Sequence, residues 1–190
     1  MYIYVFDVNE ETLPAAVAGL KTCGIRGFNL TMPNKNKIVE LLDELSPEAQ
    51  LIGAVNTVLN DNGKLIGYNT DGYGFMQSVR DAGHDITGKN ITVMGVGGAS
   101  MAICAQSALD GAASVHIFAR RTSRYWNRTQ KFAENLSAKT GCQVCLFDND
   151  DHTALRDSIA QSYLLINATS VGMVPDIDDT IIKDTSLFPS

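Results

Sequence analysis

Apolar and polar positions divide the chain into short segments of two different periods. The opening Met1-Tyr2-Ile3-Tyr4-Val5-Phe6 is an unbroken apolar run halted by Asp7, which predicts a buried strand over 2–8. A helical pattern follows over about 11–23, then a short strand at 27–31. Ile38, Leu41, Leu42 and Leu45 recur at helical spacing, so a helix with one apolar face is predicted over 34–45. Ser46-Pro47 supplies an N-cap and a first-turn proline for a brief further helix. The segments 54–59 and 64–68 are predicted strands, and Asn60-Asp61-Asn62-Gly63 between them is a tight hairpin signal. A helix over about 72–82 completes this half.

The second half alternates more regularly. Strands are predicted at 91–95, 114–119, 142–147 and 163–167, with helices at 99–110, 125–139 and 151–160 between them. Strands alternating with helices imply βαβ units, a parallel sheet and right-handed crossovers. Ala82-Gly83 closes one pattern and Thr87-Gly88-Lys89-Asn90 introduces the next, so two domains are expected, 1–83 and 84–190. The fold class is therefore α/β: an N-terminal α/β domain, then a Rossmann-like parallel-sheet domain. A complete dinucleotide-binding sheet has about six strands. Both domains are accordingly expected to be incomplete, with the chain cut at each end.

Composition narrows the reading. Hydrophobic residues make up 45% and charged residues 19%, as in a globular chain. No apolar run approaches the roughly 20 residues of a bilayer span, and no basic leader precedes the first apolar run. A net charge of -6 argues against a nucleic-acid surface. Cys23, Cys104, Cys142 and Cys145 come without a secretion signal, so reduced thiols and a cytoplasmic location are expected. Cys142-Gln-Val-Cys145 has CxxC spacing but lies in a predicted strand with no second ligand pair, and His84, His116 and His152 are scattered. No metal site is expected.

Two regions carry candidate chemistry. Ile91-Thr-Val-Met-Gly95-Val96-Gly97-Gly98-Ala99-Ser100 is a strand, a glycine turn and a helix start in the order that cradles a pyrophosphate. The bland alternative is a strand-to-helix turn with no ligand. An acidic residue at the end of the next strand would hold the ribose hydroxyls of NAD. That strand instead runs into Ala119-Arg120-Arg121-Thr122-Ser123-Arg124, with no carboxylate. Guanidinium forks and hydroxyls suit a 2′-phosphate, so NADP is favoured over NAD.

The other region is Asn29-Leu-Thr31-Met-Pro33-Asn-Lys35, where Lys35 falls in the first turn of the predicted 34–45 helix. A helix N-terminus opposes positive charge, which would ease the lysine's loss of its proton and suit it to acid–base work. Alone, such a lysine is ordinary surface. Gly53-Ala-Val-Asn56-Thr57 and Gly67-Tyr-Asn69-Thr70-Asp71-Gly72 add polar residues at strand ends. Asp71 has a plain structural alternative as the N-cap of the 72–82 helix.

Asn-Leu-Thr-Met-Pro-Asn-Lys (29–35), Gly-Ala-Val-Asn-Thr (53–57), Gly-Tyr-Asn-Thr-Asp-Gly (67–72), Gly-Val-Gly-Gly-Ala-Ser (95–100) and Asn-Ala-Thr-Ser-Val-Gly-Met (167–173) occur in that order. Together they resemble the shikimate dehydrogenase family, and Met-Pro-Asn-Lys with the Arg-Arg pair is most similar to its quinate/shikimate branch. The resemblance implies reversible hydride transfer between NADP(H) and the shikimate/3-dehydroshikimate couple. It implies a substrate domain over 1–83 and an NADP-binding domain over 84–190. By carry-over, Lys35 and Asp71 form the catalytic pair at the reacting oxygen. Asn56 and Asp71 hold substrate hydroxyls, and Thr31 and Asn29 share that pocket. Val96, Gly97, Gly98, Ala99, Arg120, Arg121 and Thr122 map to the cofactor site, with Met173 near the nicotinamide.

Some positions depart from the family pattern. Its N-terminal Ser-x-Ser segment and its C-terminal Gln-Gly motif are absent from the sequence. Ala119 stands where asparagine is usual, and Ser170 where the quinate/shikimate branch can carry lysine. Thr122 replaces the aspartate of NAD-accepting members, in keeping with NADP. Quinate as an additional substrate stays open, as does a homodimer, for which no feature argues. The rival from another class is a nucleotide-binding module without catalysis.

Overall fold

The computed structural model describes residues 4–188, and the chain parts into two units between Thr70 and Asp71. In the first, α1 (Leu13–Thr22) leads to β1 (Gly27–Asn29), then α2 (Asn34–Lys37) and a 3-10 turn (Ile38–Leu41). After these come β2 (Glu44–Leu45), α3 (Pro47–Ile52), β3 (Thr57–Asp61) and β4 (Lys64–Tyr68). The sheet order is β1-β3-β4-β2, with β2 parallel to β4 and the other pairs antiparallel. Asn62 and Gly63 both adopt positive φ, 52° and 94°, the backbone that a two-residue hairpin needs to match strand twist. Ser46 caps α3 as expected, its Oγ accepting from Ala49 N at 3.3 Å. Leu13, Val17, Ile38, Ala49, Val55, Val58 and Leu65 form the core of this unit.

Two expectations are corrected here. The helix predicted over 34–45 stops as an α-helix at Lys37, tightens to a 3-10 turn and gives way to β2. The cause is strand pairing: Glu44 and Leu45 lie opposite Ile66 and Gly67, and Asp43 takes Leu65 N at 2.7 Å and gives its own N–H to Leu65 O. Leu41, Leu42 and Leu45 still pack on the same core, so the apolar face is real although its backbone is not helical. Of the strand predicted over 2–8, residues 2 and 3 lie outside the described residues, and 4–8 form no strand. Tyr4, Val5 and Phe6 are 74%, 92% and 65% exposed, so that apolar run is not buried either. A strand exists only where a neighbouring backbone pairs with it; what ties 4–8 down here is Asn34, whose Nδ2 donates to Val8 O at 2.6 Å.

The second unit comprises α4 (Asp71–Asp81), β5 (Asn90–Met94), α5 (Gly98–Leu109), β6 (Ser114–Ala119), α6 (Trp126–Thr140), β7 (Gln143–Asp148), α7 (His152–Gln161) and β8 (Leu164–Asn167). Its sheet is wholly parallel in the order β7-β6-β5-β8. By packing, α4 belongs with this unit, which begins at Asp71. Its partner is α5: a Cβ at Gly72 would lie 2.2 Å from Ala102 O, Ser107 Oγ reaches Met76 Sδ at 3.6 Å, and Arg80 pairs with Asp110 at 2.7 Å. Covered on several sides, α5 is buried from Ser100 to Ala108 and is accordingly apolar nearly all round. Among the described residues no helix is long and apolar enough to cross a membrane.

Candidate active site

In the second unit the chain steps outward from β5 to β6 to β7 and then returns to β8 on the other side of β5. The strand order reverses between β5 and β8, and open parallel sheets bind ligands outside the strand ends at such a point. The glycine turn lies there. Gly95 has φ +112°, and a Cβ on it would approach Ala168 O and Thr169 Cγ2 at 2.9 Å. Only a residue without a side chain lets the β5 turn come this close to the segment that follows β8. Ser100 Oγ donates to Gly95 O at 2.6 Å and closes the turn from inside.

Gly97 N-caps α5 with no side-chain hydrogen bond, and no acidic residue lies in the first turn. A Cβ at Gly97 or Gly98 would meet nothing within 4 Å. The helix start therefore presents backbone amides to open space, a place where an anion is stabilised by both N–H donors and the helix dipole. Val96 is half-buried and Ala99 exposed in the same turn.

Beside β8, Asn167 organises the loop that carries Met173. Its Oδ1 accepts from Thr169 N at 3.0 Å and Thr169 Oγ1 at 2.7 Å, while its Nδ2 donates to Val171 O at 3.1 Å. Met173 is exposed beyond this knot. At the end of β6, Arg120, Arg121 and Thr122 are all exposed, and the Arg121 guanidinium stands 4.7 Å over the Trp126 ring.

The first unit holds a polar row at the ends of its strands. Asn56 is its hub: buried, it accepts Thr70 N on Oδ1 at 3.0 Å, and Thr57 Oγ1 donates to the same oxygen at 3.0 Å. Asn29 Nδ2 donates to Thr57 Oγ1 at 2.9 Å, and Leu30 N to Asn56 O at 2.8 Å. Asn69, also buried, donates to Ala54 O at 3.1 Å. Thr31 is exposed, and its carbonyl accepts Asn34 N at 3.0 Å. Lys35, half-buried, lies in α2 and accepts Val55 N on its own carbonyl at 2.8 Å, which fixes its backbone to the β3 approach. The α-helix around it is a single turn, so the long helix dipole expected there reduces to that of one turn. Asp71 is exposed and begins α4 in the second unit.

The structure thus gathers Asn29 with Asn56 in one unit, and Gly95–Ala99 with the 167–173 loop in the other. Thr57, Thr70 and Asn69 join the polar row without having been singled out individually. The signal was available, since all three belong to motifs already noted for their neighbours. Asn34 was missed altogether, because nothing in its sequence context announces a tie to Val8.

Residues 1–58 match the family model of the shikimate dehydrogenase substrate binding domain. Shikimate dehydrogenase (NADP(+)) of Listeria innocua is 46% identical over 188 residues, 98% of this chain and 64% of that protein. Quinate/shikimate dehydrogenase of Escherichia coli is 41% identical over 183 residues, 96% of this chain and 63% of that protein. The crystal structure of shikimate 5-dehydrogenase from Listeria monocytogenes in complex with shikimate and NAD matches with a TM-score of 0.93 at 45% identity, covering 96% of this chain and 63% of that one. The chain therefore spans somewhat under two thirds of the length of the curated relatives it matches. Identity of this degree, continuous through both units, is what common descent leaves behind: the chain belongs to the shikimate dehydrogenase family.

Proposed function

We propose that this chain acts in the reversible, NADP-linked reduction of 3-dehydroshikimate to shikimate, a step toward the aromatic amino acids. The observation that supports this most is the 46% identity to a shikimate dehydrogenase (NADP(+)) across nearly the whole chain. In this reading the first unit holds the substrate and the second holds the dinucleotide. The second unit fits a dinucleotide on its own geometry. Gly97 and Gly98 border open space at the start of α5, which has no acidic residue in its first turn, so a pyrophosphate has room there to meet the amides of Val96, Gly97, Gly98 and Ala99. Arg120, Arg121 and Thr122 supply charge and hydroxyl for a 2′-phosphate, and no carboxylate opposes it there.

Bound NADP+ supplies a hydride acceptor. The rest is work for the protein's own groups. Lys35 is the acid–base group, taking the hydroxyl proton as the carbinol is oxidised and returning it in the reverse direction. Asp71 partners it in handling that proton and orients a substrate hydroxyl. Asn56, Asn29 and Thr31 orient the substrate. The network around Asn56 supports this role, because a side chain already fixed by Thr57 and Thr70 loses little freedom on binding. Met173 borders the nicotinamide end.

Shikimate-dependent formation of NADPH by the intact chain, followed by absorbance with shikimate, with quinate and with neither, tests the reading. NADPH formed with shikimate supports it. NADP+ binding with no turnover on either substrate would favour a nucleotide-binding module instead. A second reading, use of quinate as well, is supported by the 41% identity to a quinate/shikimate dehydrogenase. NAD in place of NADP is supported by the relative whose structure carries NAD.

A further inference from the structure

Arg121 leaves the end of β6 on an exposed loop, where an arginine would ordinarily sample many rotamers. Here its guanidinium lies over the Trp126 ring, 4.7 Å from the centroid. Trp126 is the first residue of α6 and only 8% exposed, so the platform is fixed by the fold rather than by the loop. A cation–π contact of this kind uses none of the guanidinium's N–H groups as hydrogen-bond donors to an oxygen, so they remain available to phosphate oxygens. Arg124 also lies over a ring, that of Tyr125 at 4.8 Å, but its Nη2 donates to the Tyr125 hydroxyl at 2.7 Å, so part of its fork is already engaged. Among the described residues the Arg121 guanidinium has no carboxylate in ion-pair range, and α6 has no acidic residue in its first turn.

We propose that Trp126 is a positioning residue that holds Arg121 as a pre-set clamp for the 2′-phosphate, and so sets the preference for NADP over NAD. This rests on the dinucleotide reading of the second unit. Trp126 itself need not touch the ligand. It removes the rotamer freedom that a loop arginine would otherwise lose on binding, and that saving falls on the 2′-phosphorylated nucleotide alone. A purely space-filling role for Trp126 would alter stability and leave the discrimination unchanged.

Trp126 is the chain's single tryptophan, so its emission reports on this contact directly. The intact chain is titrated with NADP+, NAD+, adenosine 2′,5′-bisphosphate and 5′-AMP, with emission and calorimetry read together. The 2′-phosphorylated ligands are expected to change Trp126 emission clearly more than their counterparts at equal saturation. The ratio of the NAD+ to the NADP+ Kd is expected to fall about tenfold in Trp126→Leu and in Arg121→Gln, with little further loss in the double variant. Trp126→Phe, which keeps an aromatic face, is expected to retain most of the discrimination. An unchanged ratio in Trp126→Leu alongside a loss in Arg121→Gln overturns the proposal and leaves the dinucleotide reading standing. If Trp126→Leu does not fold, equal emission responses to NADP+ and NAD+ in the unaltered chain overturn it instead. An unaltered chain that binds neither dinucleotide overturns both.

Discussion

Single residues in this chain are placed by hydrogen bonds that their sequence context only half reveals. Asn56 was legible as a polar residue at a strand end, but not as the hub that takes both Thr70 N and Thr57 Oγ1. His116, set aside in the sequence, proves to be a β6 residue bonded to Ser158 Oγ at 2.9 Å and edge-on to Phe147. Burial holds its imidazole below the ordinary 6.5. The unfolded chain therefore takes up the proton first as pH falls, and the stability contributed by the neutral ring is lost progressively below about pH 6.5. His116→Gln should flatten the acid side of the stability–pH curve, measured by urea unfolding at a series of pH values; an unchanged slope would count against this placement. The thiols divide similarly. Burial pushes Cys104 up to about 12 and Cys142 up to about 11, whereas Cys23 is exposed. Brief alkylation near neutral pH should mark Cys23 and spare Cys104 and Cys142, as read by peptide mass spectrometry.

At the scale of elements, the βαβ half was read closely and the first half less so. Strand β6 falls where the alternation put it, β4 where the hairpin signal put it, and the glycine turn sits between a strand and a helix as its spacing implied. Buried parallel strands are continuous apolar runs bounded by turns, so their signal is local. The 34–45 segment failed for the opposite reason. Leu41, Leu42 and Leu45 are spaced for a helix face, yet the Glu44–Leu45 pairing with Ile66–Gly67 is a contact between residues distant in sequence that no local window contains. The match of α4 to α5 likewise lies beyond any local window, since it depends on a glycine at a helix crossing. That match is itself testable. Alanine is favoured over glycine inside a helix by about 1 kcal/mol. A Cβ at Gly72, however, would press on the Ala102 carbonyl at 2.2 Å, and overpacking of that kind costs about 1–3 kcal/mol. Gly72→Ala should therefore lower the urea midpoint, and a raised midpoint would show that α4 and α5 can separate without cost.

On the scale of the whole molecule, the family was legible because its marks are short motifs whose chemistry survives out of context. Five of them run in order through the chain, and similarity to known dehydrogenases extends over 98% of it. What the sequence did not convey was the support around each motif: the Asn167 knot, the Gly95 approach to Ala168 and the Trp126 platform. The Gly95 approach joins residues far apart in the chain and becomes visible only when the sheet is assembled, while the other two are local but depend on side-chain geometry that no residue pattern spells out. The central claim is that Lys35 does the acid–base work on a substrate whose hydride goes to a separately bound NADP+. The most direct measurement is kcat for shikimate oxidation in Lys35→Ala, with the NADP+ Kd determined in parallel by calorimetry. The account predicts a kcat lower by about 10²–10⁴-fold with the Kd essentially unchanged. Turnover that persists at the unaltered rate in Lys35→Ala would contradict it.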